Sequence, residues 1–146
     1  MQGLIEFAVL IEQADPKHRD KILSDSTEQD PDFVAKVMRK VVFFDELIYL
    51  DNLILAEILS RTSPKLVAYA IYGMEENFRK AILKQLGYRD MKLAMDEEEK
   101  MPSKVSREFV LGAQRQVLRI ARSMEAENKF VFELTECPRF KARKAV

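Results

Sequence analysis

The sequence predicts an all-α protein, a small helical lobe followed by a larger C-terminal helical bundle. Three observations lead there. Only four glycines and five prolines interrupt 146 residues, too few for a strand-and-turn fold. Apolar residues recur at helical steps, most sharply at Val110, Ala113, Val117, Ile120 and Met124, spaced by 3, 4, 3 and 4. A capping residue stands directly before a proline at Asp15-Pro16, Asp30-Pro31 and Ser63-Pro64, the order of an N-cap and a first helical residue.

The elements follow in order. Leu4, Phe7, Ala8, Leu10, Ile11 and Ala14 make an apolar stripe over residues 2–14. Pro16 opens a second helix, read as short and polar, to which Ile22 and Leu23 bring the apolar contacts. Phe33, Val34, Val37 and Met38 carry a third helix, completing a small lobe over residues 1–40. Val41-Val42-Phe43-Phe44 follows with no turn residue. No partner strand lies nearby, so these four residues are read as a helix end running into a junction over 41–50. One of Phe43 and Phe44 is expected to be buried between the lobes, at a bend in the backbone. Beyond it, Asp51 caps a helix bearing Leu53, Ile54, Ile58 and Leu59. Ser63-Pro64 starts the next, which stops at Gly73. Phe78, Ile82, Leu83 and Leu86 mark another, ended by Gly87, and a long helix spans about 106–127. Phe130-Val131-Phe132 reads as an extended apolar tag folding back on a bundle that covers 51–134. Arg139, Lys141, Arg143 and Lys144 mark 135–146 as a basic, frayed tail. Helix pairs of about 20 residues resemble armadillo stacking.

Composition excludes more than it assigns. Lys plus Arg equals Asp plus Glu at 24 each, so no global charge draws the chain to nucleic acid. A single cysteine, Cys137, leaves no internal disulfide and fits a reducing compartment. No apolar run approaches a membrane span, and the N-terminus lacks the pattern of a signal peptide, so the expected location is cytoplasmic. His18, the only histidine, sits on a polar helix, and Cys137 sits beside Pro138 in the tail with no pre-formed basic pocket to hold it as a thiolate. The glycines at 3, 73, 87 and 112 form no phosphate loop. Asp96, Glu97, Glu98 and Glu99 are consecutive, so a helix points them to different faces and they do not close on one metal ion. With no base, nucleophile, metal cage or cofactor loop, the expectation is a non-enzyme without cofactor.

The stretch from Gly87 to Pro102 is the most informative. Tyr88, Met91 and Met95 recur at helical spacing, which predicts an amphipathic helix with Met91 and Met95 buried. Its charges run against the macrodipole, with Arg89 and Lys92 near the N-terminus and Asp96 to Glu99 at the C-terminus. Lys92 and Asp96 are an i,i+4 pair in the weaker orientation. Each misplaced charge costs about 0.3–1 kcal/mol, so helix stability does not explain the order. Two readings stand: a solvated face with no further meaning, or a charged ridge displayed to a partner of complementary pattern.

Taken together, these stretches resemble a known family. Met38-Arg39-Lys40-Val41-Val42-Phe43-Phe44-Asp45-Glu46-Leu47-Ile48-Tyr49-Leu50-Asp51 resembles the surroundings of the Met-Phe-X-Phe hinge of the flagellar motor switch protein FliG family, with Val41 and Val42 where the family has Met and Phe. Asp30-Pro31, Ala70, Gly73, Arg79, Leu83, Arg89, Asp96-Glu97, Pro102, Gln114 and Arg119 to Arg122 keep the family's order, over roughly Gly3 to Leu134.

The resemblance implies a rotor component at the cytoplasmic face of the flagellar basal body, with copies arranged in a ring. Arg89, Asp96, Glu97 and Lys92 would face the cytoplasmic loop of a MotA-like stator, and FliM-like switch proteins would be further partners. Tyr72 stands where the family carries a lysine, and Lys104 or Arg107 would supply the basic residue after Pro102. The family's N-terminal membrane-ring anchor and the Glu-His-Pro-Gln motif of its middle domain do not occur, which implies a fragment or a short paralogue. Two alternatives remain. One is a FliG-like adaptor that binds switch proteins through apolar helix faces without generating torque. The other is a sensor lobe similar to the N-terminal domain of MgtE-type transporters, which would need metal-facing acids among Asp96 to Glu99.

Overall fold

The computed structural model describes residues 2–144, with side chains for 3–141. Among these residues there is no strand, and the chain divides into two compact units, 1–43 and 44–146.

The first unit holds α1 (Gln2–Gln13), α2 (Pro16–Gln29) and α3 (Pro31–Lys40). Both cap-plus-proline signals act as read. Asp15 accepts from the His18 N–H at 2.9 Å, and Asp30 accepts from the Phe33 N–H at 3.1 Å, each satisfying a donor that the helix start leaves free. Helix α2 runs for 14 residues, longer than expected, and buries none of them fully; Ile22 and Leu23 rest on a core of Ala8, Ile11, Val37 and Val41. Phe7 meets Phe33 edge-on, with ring centroids 5.6 Å apart.

Helix α3 stops where Val41 turns extended (φ −63°, ψ 134°). Val41 joins the first unit's core, and the Val42 N–H donates to the buried Glu12 carboxylate at 2.9 Å, which pairs a donor that the broken helix would have orphaned. The second unit begins at Phe44 with a 3-10 helix, η1 (Phe44–Tyr49). The expected bend is present, but the four junction residues part company. Phe44 is 8% exposed and packs on Phe78 of its own unit at 5.7 Å, whereas Phe43 is 45% exposed. Residues 41–50 are therefore no separate linker, because Val41 joins one core, the Val42 N–H is held by Glu12 of the same unit, and Phe44 and Leu47 are buried in the other unit.

The second unit continues through α4 (Asn52–Ser60), α5 (Pro64–Ala70), α6 (Glu76–Lys84), α7 (Tyr88–Lys100) and α8 (Arg107–Ala126) to η2 (Phe132–Leu134) and α9 (Pro138–Lys144). Short α5 lies between α7 and α8, and its core residues Val67, Ala68 and Ala70 are buried there. The long helix presents Ala113, Val117, Leu118, Ala121 and Met124 inward, and each large apolar side chain so buried contributes about 1.5–3 kcal/mol. Asp51, Ser63 and Ser106 cap α4, α5 and α8 through the N–H groups of Leu53, Leu66 and Glu108. Helix α8 closes with Asn128 in the left-handed region (φ 64°). There Lys129 N–H bonds Met124 C=O and Asn128 N–H bonds Glu125 C=O, the paired closure that ends many helices.

Two glycines act differently from expectation. Helix α5 already ends at Ala70, and Gly73 (φ 75°) instead makes the turn toward α6. Gly87 is the N-cap of α7. The C-terminal segment is a larger correction, for it is helical from Pro138 rather than frayed, with Cys137 and Phe140 buried. Short sequence range and basic composition concealed two apolar anchors three residues apart. Of the basic residues read there, Arg143 and Lys144 have side chains outside those described.

Candidate functional site: the charged face of α7

Gly87 lets the chain enter α7 with an extended backbone, and Met101, also extended, ends it before Pro102. Which face turns inward is set by Ala94, fully buried where α5 crosses. A small residue at that point allows a close helix approach. The expected stripe of Tyr88, Met91 and Met95 is accordingly wrong. Tyr88 is 71% exposed and Met95 48%, and only Met91 is half-buried. Glu98 takes the place a methionine was expected to hold, half-buried and paired with Arg79 of α6. One of the four consecutive acids is thus explained by structure, because an inward carboxylate needs a partner.

With Ala94 inward, a 100° step per residue puts Lys92 and Asp96 at the crest, with Arg89 and Glu99 beside them. All four are exposed. Their spacing of 3, 4 and 3 makes one stripe about 15 Å long, basic in its first half and acidic in its second. Among the described residues, Arg89 and Asp96 form no ion pair, and Lys92 lies over the Tyr88 ring at 5.3 Å. Glu97 differs from its predicted companions. It is half-buried and turned some 100° from Asp96, toward the flank of the helix. Glu99 is the residue the sequence reading passed over, although the 89-92-96-99 spacing was legible in the chain.

Two further groups of motif residues are engaged elsewhere in the second unit. The Gln114 side-chain amide of α8 donates to the Ala70 carbonyl at 2.9 Å, closing one of the acceptors that the end of α5 leaves free. Arg122, buried in α8, bonds Glu125 at 2.7 Å and lies over the Phe132 ring at 4.9 Å, while Glu125 accepts from the Phe132 N–H at 2.9 Å. Arg79, Gln114 and Arg122 are therefore scaffold.

Among the described residues, no three His, Cys, Asp or Glu side chains are placed to hold a metal, so Asp96 to Glu99 do not form the cage that a metal-sensing lobe requires. No helix there is long and apolar enough to cross a membrane.

Fold and surface together define an armadillo-like protein, helical and without strands among the described residues, whose α7 carries an exposed charged stripe. The family follows from comparison with known proteins. The FliG C-terminal domain profile matches residues 24–132, and the chain belongs to that family. It is 26% identical over 129 residues to the flagellar motor switch protein FliG of Aquifex aeolicus, covering 88% of this chain and 39% of that protein. It is 27% identical over 132 residues to FliG of Pseudomonas aeruginosa, covering 90% and 38%. The chain thus spans about two-fifths of the length of these relatives. The structure of full-length FliG from A. aeolicus superposes with a TM-score of 0.56 at 26% identity, over 87% of this chain and 39% of that one. A crystal structure of FliG residues 86–343 from H. pylori gives a TM-score of 0.67 over 86% of this chain and 58% of that one, at 19% identity, a likeness of fold.

Proposed function

We propose that this chain is a non-enzymatic rotor component of the flagellar switch, acting on the cytoplasmic side of the basal body, whose α7 engages the cytoplasmic loop of a MotA-like stator. Copies stand side by side in the rotor ring, with FliM-like switch proteins as neighbours. Membership of the FliG C-terminal domain family supports the rotor assignment. The observation that carries the stator contact is the exposed stripe of Arg89, Lys92, Asp96 and Glu99, in which the first three positions have no internal ion pair to satisfy them. A partner bearing acids opposite the N-terminal half and bases opposite the C-terminal half would match it.

Binding of a synthetic stator-loop peptide, followed by fluorescence anisotropy, tests this reading. Exposed pairs are worth about 0.2–1 kcal/mol, so Arg89→Asp should weaken binding by up to about fivefold per lost pair. A reversed charge on the peptide should restore part of the loss. Affinity should fall with salt, because the screening length is about 8 Å at physiological ionic strength. Binding that ignores both reversal and salt would refute the contact.

A second reading, an adaptor that generates no torque, has its own observation. Leu134, largely exposed, lines a groove of about 650 Å³ together with Tyr49, Leu50, Ile54, Phe130 and Val131. Tyr72 in place of the family's lysine also favours it. Binding of a FliM-like protein that is lost in Leu134→Asp and indifferent to Arg89→Asp would select the adaptor.

A further inference from the structure

The family match ends at Phe132, yet the chain goes on to build a helix into its second unit. On α9, Phe140 lies one turn from Cys137, and the two are 3% and 2% exposed, so they form the inward face of the segment. Between them Arg139 reaches Glu46 of η1, 93 residues earlier, with Nε 2.8 Å from Oε2 and Nη2 2.7 Å from Oε1. This is a two-pronged guanidinium–carboxylate pair, the strongest geometry available to such charges. The Cys137 Sγ–H donates to the same Oε2 at 3.1 Å, and the Arg139 guanidinium lies over the Phe140 ring at 4.8 Å. Three hydrogen bonds from two residues of a single turn therefore converge on one carboxylate.

The element they grasp is a weak one. A 3-10 helix of six residues is longer than the three or four that its poorer hydrogen-bond geometry usually sustains. Phe44 and Leu47 tie one side of η1 to the core, and Glu46 on its other side is held from α9. We propose that residues 133–144 are an intramolecular latch on η1. Closed, it holds rigid the first segment after the Val41–Phe43 junction. Open, it frees that segment to move, so that a segment beyond the matched profile controls the start of the second unit. The latch stands apart from the stator reading, for it involves no residue of α7.

Cys137 reports the latch directly, since it is the chain's one cysteine and is buried only while α9 is docked. In the full chain, labelling by a small aromatic disulfide reagent should proceed at a rate unaffected by low urea, the mark of local opening. Arg139→Gln should raise that rate at least tenfold, and the Glu46→Arg, Arg139→Glu exchange should bring it back toward the original. Hydrogen exchange gives an independent reading. In the labelled wild-type protein, where the adduct cannot re-enter its site, the Leu50 amide, bonded to the Leu47 carbonyl, should lose protection, while the Val117 and Ala121 amides of α8 keep theirs. Labelling that tracks the urea dependence of global unfolding in both the wild type and Arg139→Gln would overturn the latch. So would a labelled protein whose η1 amides remain fully protected.

Discussion

Phe44→Ala should be among the most damaging substitutions in the second unit, while Phe43→Ala, one residue earlier, should be mild. Phe44 is 8% exposed, so about 150 Å² of its side chain is out of water, worth about 4 kcal/mol at ~25 cal/mol per Å². The lost contact with the Phe78 ring adds about 1 kcal/mol, partial collapse of the cavity recovers some of it, and buried Phe→Ala changes fall at about 3–5 kcal/mol. Phe43, 45% exposed, leaves no closed cavity and should cost about 1 kcal/mol. All four tyrosines (Tyr49, Tyr69, Tyr72 and Tyr88) lie in the second unit and the chain has no tryptophan, so tyrosine emission in a urea titration reports that unit alone. At a slope of about 2 kcal/mol per molar urea, Phe44→Ala should lower the midpoint by about 2 M, whereas Phe43→Ala, which falls in the first unit, should leave it nearly unchanged. Equal, small losses would refute the packing argument and show Phe44 to be a loosely held hinge aromatic.

Three other outcomes follow from the same geometry. Gln114→Ala should cost about 1–3 kcal/mol in the same titration, because it leaves the Ala70 carbonyl without its partner, and a neutral result would show that water replaces the amide. The amide and guanidinium donors that meet Asp15 and Glu127 (the His18 N–H and Arg61) hold both carboxylates below their ordinary values, near 3.8 and 4.5. Their contribution is therefore present above that range and lost as pH falls through the lowered values; Arg61→Gln should flatten the acid limb of a Tm-against-pH curve, and an unchanged limb would remove Glu127 from the account. Burial, with the Glu46 hydrogen bond second, pushes the Cys137 thiol above 9.0, so its contribution is full below that value and fades as pH rises past it. Cys137→Ala should lessen the loss of Tm between pH 9 and 11, and a loss of the same size in that variant would exclude the thiol.

Much of this architecture was legible because it is written in local chemistry. An acid or serine before a proline starts a helix wherever it occurs, and Asp15, Asp30 and Ser63 each cap the helix expected of them. The 3-4-3-4 spacing from Val110 to Met124 specifies a long amphipathic helix with no help from its surroundings, and the order of weak motifs along the chain was enough to suggest the family. The bend after Val41 was likewise visible in a run of four bulky residues with no turn between helix and helix.

What remained undecided depended on which neighbour each side chain meets. In α7 two apolar faces competed, and hydrophobicity favoured the one with Tyr88 and two methionines. Close approach to α5 chose Ala94 instead, and Arg79 from another helix made an inward Glu98 affordable, which in turn set Glu97 apart from Arg89, Lys92 and Asp96. The C-terminal segment was misjudged for the same reason. Its short helix has little stability of its own, and only Glu46, 93 residues away, together with the core beneath Cys137 and Phe140, makes it ordered. Periodicity and capping act within a few residues and can be read along the chain. The choice among faces, and the worth of a distant ion pair, exist only once the helices have met.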